Sequence, residues 1–140
     1  MTAGELLVVD ASVVVAWGLG EEVHAVKAGL LQSFFLAGGA AVVPSLFPIE
    51  VVGALVVAER DGRTSPEETD QFVANLGSLP IELDDGASRS PGALLALARR
   101  HKLKAQDACY PELCHRRSLK LVTVDGPLLR ASKLTGVAYP

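Results

Sequence analysis

The chain has almost no thiol chemistry to offer. Two of its 140 residues are cysteine, Cys109 and Cys114, and they stand five apart. That spacing suits neither a metal knuckle nor a redox pair, so a reduced pair in a cytoplasmic protein is expected. The three histidines, His24, His101 and His115, show no spacing for metal binding or general-base work. No basic segment precedes the first apolar run, which argues against a signal peptide. The most apolar stretch, residues 42–58, is interrupted by Pro44, Pro48 and Glu50, which argues against a membrane span. Repeats, linkers and low-complexity segments are missing too, so one domain over residues 1–140 is expected. Basic side chains are scarce in residues 1–98, with four against thirteen acidic ones, a net −9. Residues 99–140 reverse this, with nine basic and three acidic side chains, a net +6.

What the chain does have is apolar substance. Apolar residues make up 49% and charged ones 21%, the balance of a folded chain with a core. Its organising stretch is Leu6-Leu-Val-Val-Asp10-Ala-Ser12. Four consecutive apolar residues read as a strand buried on both faces, the habit of parallel sheets. Asp10 falls where that strand ends, and open α/β sheets bind ligands outside the carboxyl ends of their strands.

Strands are expected at residues 5–9, 40–43, 80–83 and 119–124, with a fifth possible at 137–139. Helices are expected at 11–17, 21–37, from a Ser45 cap to about Arg60, and from a Ser65 cap to near Gly77. Ser65-Pro-Glu-Glu68 is a strong start signal: a capping hydroxyl, then proline at the first helical position, then a glutamate at the third. Further helices are expected from Ser90-Pro91 to the basic run at 99–104, over 107–117, and from Gly126-Pro127 to about Ser132. Strands alternating with helices imply an α/β fold, a parallel sheet with helices on both sides.

Four acids fall at positions that packing does not explain. Asp10 and Asp125 each end a strand, in Val-Val-Asp10 and Val-Thr123-Val-Asp125. Glu50 is the only charge between Leu46 and Ala58, and burying it is costly unless it is paired or holds a metal. Asp107 begins a helix after the basic run. Singly, each has an ordinary use as a helix cap, an Asx turn or an ion-pair partner. Gathered, they would resist ionisation unless a cation compensated them. An all-oxygen set favours Mg²⁺ or Mn²⁺ over Zn²⁺.

The ordered set of these blocks resembles the PIN-domain nucleases, especially the VapC toxins of toxin–antitoxin pairs. The matching blocks are Val-Val-Asp10-Ala-Ser12 with Ala16-Trp17, Pro44-Ser-Leu-Phe with Glu50, residues 103–113 around Asp107-Ala-Cys-Tyr110, and Leu121-Val-Thr123-Val-Asp125. The resemblance implies a three-layer α/β/α sandwich around a parallel sheet of four to five strands. It implies a Mg²⁺- or Mn²⁺-dependent endoribonuclease leaving a 5′-phosphate and a 3′-hydroxyl. Asp10, Glu50, Asp107 and Asp125 would be its metal ligands and catalytic acids, with Ser12 and Thr123 as supporting hydroxyls. It also implies a homodimer inhibited by a VapB-like antitoxin. Pro111 stands where a leucine is usual, and Gly53 where an asparagine is frequent. Arg99, Arg100, Lys102, Lys104, Arg116 and Arg117 are candidates to hold RNA, such as tRNA or rRNA, by its backbone. Basic residues at a helix C-terminus also have an ordinary use in opposing the dipole. The competing expectations are an RNA-processing PIN nuclease without an antitoxin, and a non-catalytic PIN domain that binds RNA or protein.

Overall fold

The computed structural model describes residues 4–140. Its centre is a four-stranded parallel sheet: β1 (Leu6–Val9), β2 (Ala40–Pro44), β3 (Ile81–Asp84) and β4 (Leu121–Val122), in the order β3-β2-β1-β4. Leu6 pairs with Ala40, Val8 with Leu121 and Pro44 with Asp84, so β1 lies between β2 and β4. The side chains of β1 alternate. Leu7 and Val9 join Val13, Val14, Leu31, Phe34, Phe47, Val51 and Leu55 in one core cluster. Val8 joins Tyr110, Leu113, Cys114, Leu121, Leu128 and Ala131 in the other. That period of two, with both faces apolar, is why the first strand reads as an unbroken hydrophobic run.

The first cluster is covered by α1 (Ala11–Leu19), α2 (Ala25–Leu36) and α3 (Phe47–Arg60), and the second by α6 (Ala105–Arg117) and α7 (Gly126–Leu134). The result is a three-layer α/β/α sandwich. Two more helices, α4 (Pro66–Leu76) and α5 (Pro91–His101), complete the layers, α5 lying against α6. Among the described residues no helix is long and apolar enough to cross a membrane.

Several local expectations hold in detail. Ser65 caps α4, its Oγ accepting from the Glu68 N–H at 3.2 Å. Gly20 closes α1 in the left-handed region at φ 64°. Others shift. The expected helix from residue 21 starts as a 3₁₀ turn, Glu22–His24, and only becomes α-helical at Ala25. Its inner face is Ala28, Leu31 and Phe34. Leu46, not Ser45, is the cap of α3. The fourth strand is two residues long, and the possible fifth reduces to one bridge between Leu121 and Ala138. Helix α6 begins two residues before Asp107, so Pro111 lies inside it. A proline there cannot donate to the carbonyl of Asp107, four residues earlier. The helix nonetheless runs on to Arg117, with Pro111 buried.

Candidate functional site

Asp10, Glu50, Asp107 and Asp125 all line one cavity of about 590 Å³ beyond the carboxyl end of β1. Each sits at the amino end of a helix. Asp10 is the N-cap residue of α1 and Asp125 that of α7, while Glu50 and Asp107 lie in the first turns of α3 and α6. Helix N-termini carry partial positive charge and favour anions. This offsets part of the repulsion that gathering four carboxylates creates.

Asp10 is 4% exposed. Its Oδ2 accepts from Ser12 Oγ at 2.5 Å and from Thr123 Oγ1 at 2.8 Å. A hydroxyl has one proton, and both protons are committed to Asp10, so the 3.2 Å approach of the two hydroxyls to each other is a contact and not a third bond. Each hydroxyl in turn accepts a backbone N–H, Val124 to Ser12 at 3.3 Å and Asp125 to Thr123 at 3.0 Å. Lys27 reaches from α2 to the Thr123 carbonyl at 2.6 Å, tying down the same strand end. Burial pushes the Asp10 pKa up, the two hydroxyls pull it down, and Asp125 adds to the rise.

Glu50 is half-buried, and its pKa is raised to about 7. Burial is the main cause; the Tyr110 hydrogen bond opposes it, and the charges of Asp10 and Asp107 add to it. The Tyr110 hydroxyl donates to Glu50 Oε1 at 2.7 Å and accepts from the Ala11 N–H at 3.3 Å. Burial, with Asp10 and Glu50 alongside, pushes the phenol's own pKa up, so it stays protonated. Asp107 is raised by burial and by Asp125 and Asp10, with Lys104 opposing. Asp125 spends Oδ2 on capping α7, accepting from the Leu128 N–H at 3.0 Å. Its ordinary use as a cap and its place on the cavity wall thus coexist.

The four acids therefore share a cavity and feel one another's charge. No three His, Cys, Asp or Glu side chains among the described residues stand close enough to form a ready-made cation cage. The donor set is all carboxylate, the chemistry of a Mg²⁺ or Mn²⁺ site. Its raised acids are what a bound cation would relieve. Gly53 also lies on the wall, and a Cβ there would meet nothing within 4 Å, so a larger polar residue has room.

The six basic candidates divide. Arg99, Arg100 and Lys102 are exposed at the end of α5, and Lys104 is the exposed cap of α6, within electrostatic reach of Asp107. Arg116 is committed elsewhere. It donates to Glu112 at 2.7 and 3.1 Å and to Asp84 at 2.6 and 3.2 Å, which uses four of its five N–H donors. Arg117 is bound to Glu82 and lies 3.5 Å from Asp84. These two cations bind α6 to β3.

Sequence reasoning missed Tyr110, Lys27 and Arg63. Arg63 lies on the cavity wall, its nearest acid the exposed Asp61 at 3.7 Å. His24 and Glu21 are on the wall as well. Tyr110 had one readable signal: it stands three residues after Asp107 and so shares a helix face with it. Lys27 and Arg63 had none, since each reaches the site only through tertiary folding.

The chain matches no protein-family model and no curated protein. Among solved structures it is similar to the crystal structure of PAE2754 from Pyrobaculum aerophilum. The likeness has a TM-score of 0.67 at 23% identity and covers 96% of this chain and 87% of the other. It is a likeness of fold.

Proposed function

We propose that the protein is a PIN-type endoribonuclease dependent on Mg²⁺ or Mn²⁺, the toxin half of a VapBC-like toxin–antitoxin pair. The observation that carries this reading is the convergence of four carboxylates, from four separate helix ends, on one cavity at the carboxyl rim of a parallel sheet. Asp10, Glu50, Asp107 and Asp125 would hold the cation, which when bound activates water and neutralises charge on a phosphodiester. Ser12 and Thr123 hold the Asp10 carboxylate in place and keep it an acceptor. Arg63 on the wall and Lys104 at its edge supply positive charge for the RNA backbone. Arg99, Arg100 and Lys102, exposed at the end of α5, would add positive charge for the same backbone, while Arg116 and Arg117 serve the fold.

Helix α3 leaves Ile49, Val52 and Val56 exposed beside its buried Val51 and Leu55. In this reading that face is covered by a second copy or by the antitoxin, in the cytoplasm. A second reading, a non-catalytic PIN domain that binds RNA or protein, is favoured by Pro111 inside α6 and by the lack, among the described residues, of three acids close enough to cage a cation.

The test is cleavage of structured tRNA and rRNA fragments by the wild type and by Asp10→Asn, in Mn²⁺, in Mg²⁺ and in EDTA. Cleavage that needs both the cation and Asp10 is the expected result. A wild type that binds neither Mn²⁺ nor cuts RNA would hand the protein to the second reading. Expression should slow growth, and Asp10→Asn should relieve it.

A further inference from the structure

Tyr110 is the largest fully buried side chain among the described residues. A phenylalanine would fill that core position without a polar atom to satisfy, so the hydroxyl needs a reason. Its two bonds supply one. The oxygen accepts from the N–H of Ala11, the residue after Asp10, and the proton goes to Glu50. The ring itself stands three residues after Asp107 on α6. One phenol therefore joins the three segments that bring Asp10, Glu50 and Asp107 to the cavity.

We propose that Tyr110 is a positioning residue for the candidate cation site, fixing the Glu50 carboxylate through a hydrogen-bond chain that begins at the Ala11 N–H. The inference rests on the reading of the four carboxylates as that site. The Ala11 N–H belongs to the first turn of α1, whose amino end is electropositive and has no intrahelical partner to offer it. By accepting there, Tyr110 becomes a stronger donor to Glu50. It also fixes α3 against α1 at the one point where both contribute an acid. A carboxylate on a half-exposed helix turn has rotamers to lose on binding a cation. One already held by a buried donor has fewer, so the orientation is set before the cation arrives.

The experiment compares Mn²⁺ affinity, by calorimetry and by the Mn²⁺ spin-resonance signal, in the wild type, Tyr110→Phe, Glu50→Gln and the double variant. Tyr110→Phe keeps the ring and removes the hydroxyl. Its affinity is expected to fall about 10-fold, the scale on which partners that orient ligands act. The double variant should bind no worse than Glu50→Gln alone. A second variant, Ala11→Pro, removes the N–H and puts the ring Cδ in its place, which displaces the Tyr110 oxygen from this end of the chain of bonds. Proline is well tolerated at the first helical position, and Asp10 before it is already extended at φ −79° and ψ 149°. It should lower affinity in the same direction, and it decides the matter alone if Tyr110→Phe does not fold. Wild-type affinity in the folded Tyr110→Phe and Ala11→Pro proteins overturns the inference while leaving the cation site standing. No Mn²⁺ binding by the wild type overturns both.

Discussion

Thr123 Oγ1 donates to Asp10 Oδ2 at 2.8 Å, joining the ends of two adjacent parallel strands. Both atoms are out of water: Asp10 is 4% exposed and Thr123 1%. Thr123→Val keeps the shape and removes the hydroxyl, leaving the carboxylate one donor short and the Asp125 N–H without its acceptor. A hydrogen bond to a charged group is worth about 1.5–3 kcal/mol, so urea denaturation should show a loss of that size. Thr123→Ser should recover most of it.

The raised acids make a prediction about pH. Glu50 moves from an ordinary 4.5 to about 7, and Asp10 and Asp107 move the same way. The folded state then holds protons that the unfolded state has released. Stability of the cation-free protein should therefore fall as pH rises from about 4.5 to about 7. Denaturant midpoints across that range, in EDTA, measure it. Glu50→Gln should flatten the slope, and saturating Mn²⁺ should restore the stability lost at the upper end. A midpoint that climbs with pH in EDTA would contradict the burial of these acids. Asp84 has the opposite sign. Arg116 holds its pKa below the ordinary 3.8, so its contribution is present at neutral pH and disappears only in stronger acid.

Arg116 should behave as a structural residue. Arg116→Ala strands Glu112, whose side chain is 6% exposed, and removes two bonds from Asp84. Leaving such an acceptor unsatisfied costs about 1–3 kcal/mol, read from chemical denaturation. Gly86→Ala should push the same way, since its Cβ would meet the Arg116 guanidinium at 2.2 Å. The two losses should not add, because both act on one side chain.

RNA binding separates the cations by place. Each phosphate contact on a single strand contributes a slope of about −0.7 to the logarithm of affinity against that of salt. Arg63→Ala and Lys104→Ala should each lower the slope by about one contact in a fluorescence titration with a labelled oligonucleotide. Arg116→Ala, in the fraction that folds, should leave it unchanged. The reverse order would move the RNA path from the cavity edge to the far end of α6.

The sequence was most legible where a single rule governed a residue. An unbroken apolar run made β1 readable, and the Ser65-Pro-Glu-Glu68 signal placed the start of α4 to the residue. The four acids drew notice as a set, since each alone has an ordinary use as a cap, a turn or an ion-pair partner. Tyr110 was not, since its partner Glu50 lies sixty positions away and its own neighbourhood reads as core. Arg116 and Arg117 misled for a related reason. A basic pair near a helix end looks like a phosphate grip until Asp84 and Glu82 arrive from another strand. Helix α2 was overextended because Glu21 and Glu22 suit a first helical turn, yet the chain spends them on a 3₁₀ turn that brings His24 to the cavity wall.

The strand order has a consequence for the making of the protein. Of the four strands of this sheet β1 is made first, and it stays open on one edge until β4 emerges. Until then Asp10 lacks Thr123, and the cavity lacks Asp125. A partly synthesised chain thus carries a carboxylate with no site around it. Whatever this cavity does, its four acids can act together only after residues 107 and 125 have followed Asp10 and Glu50 out of the ribosome.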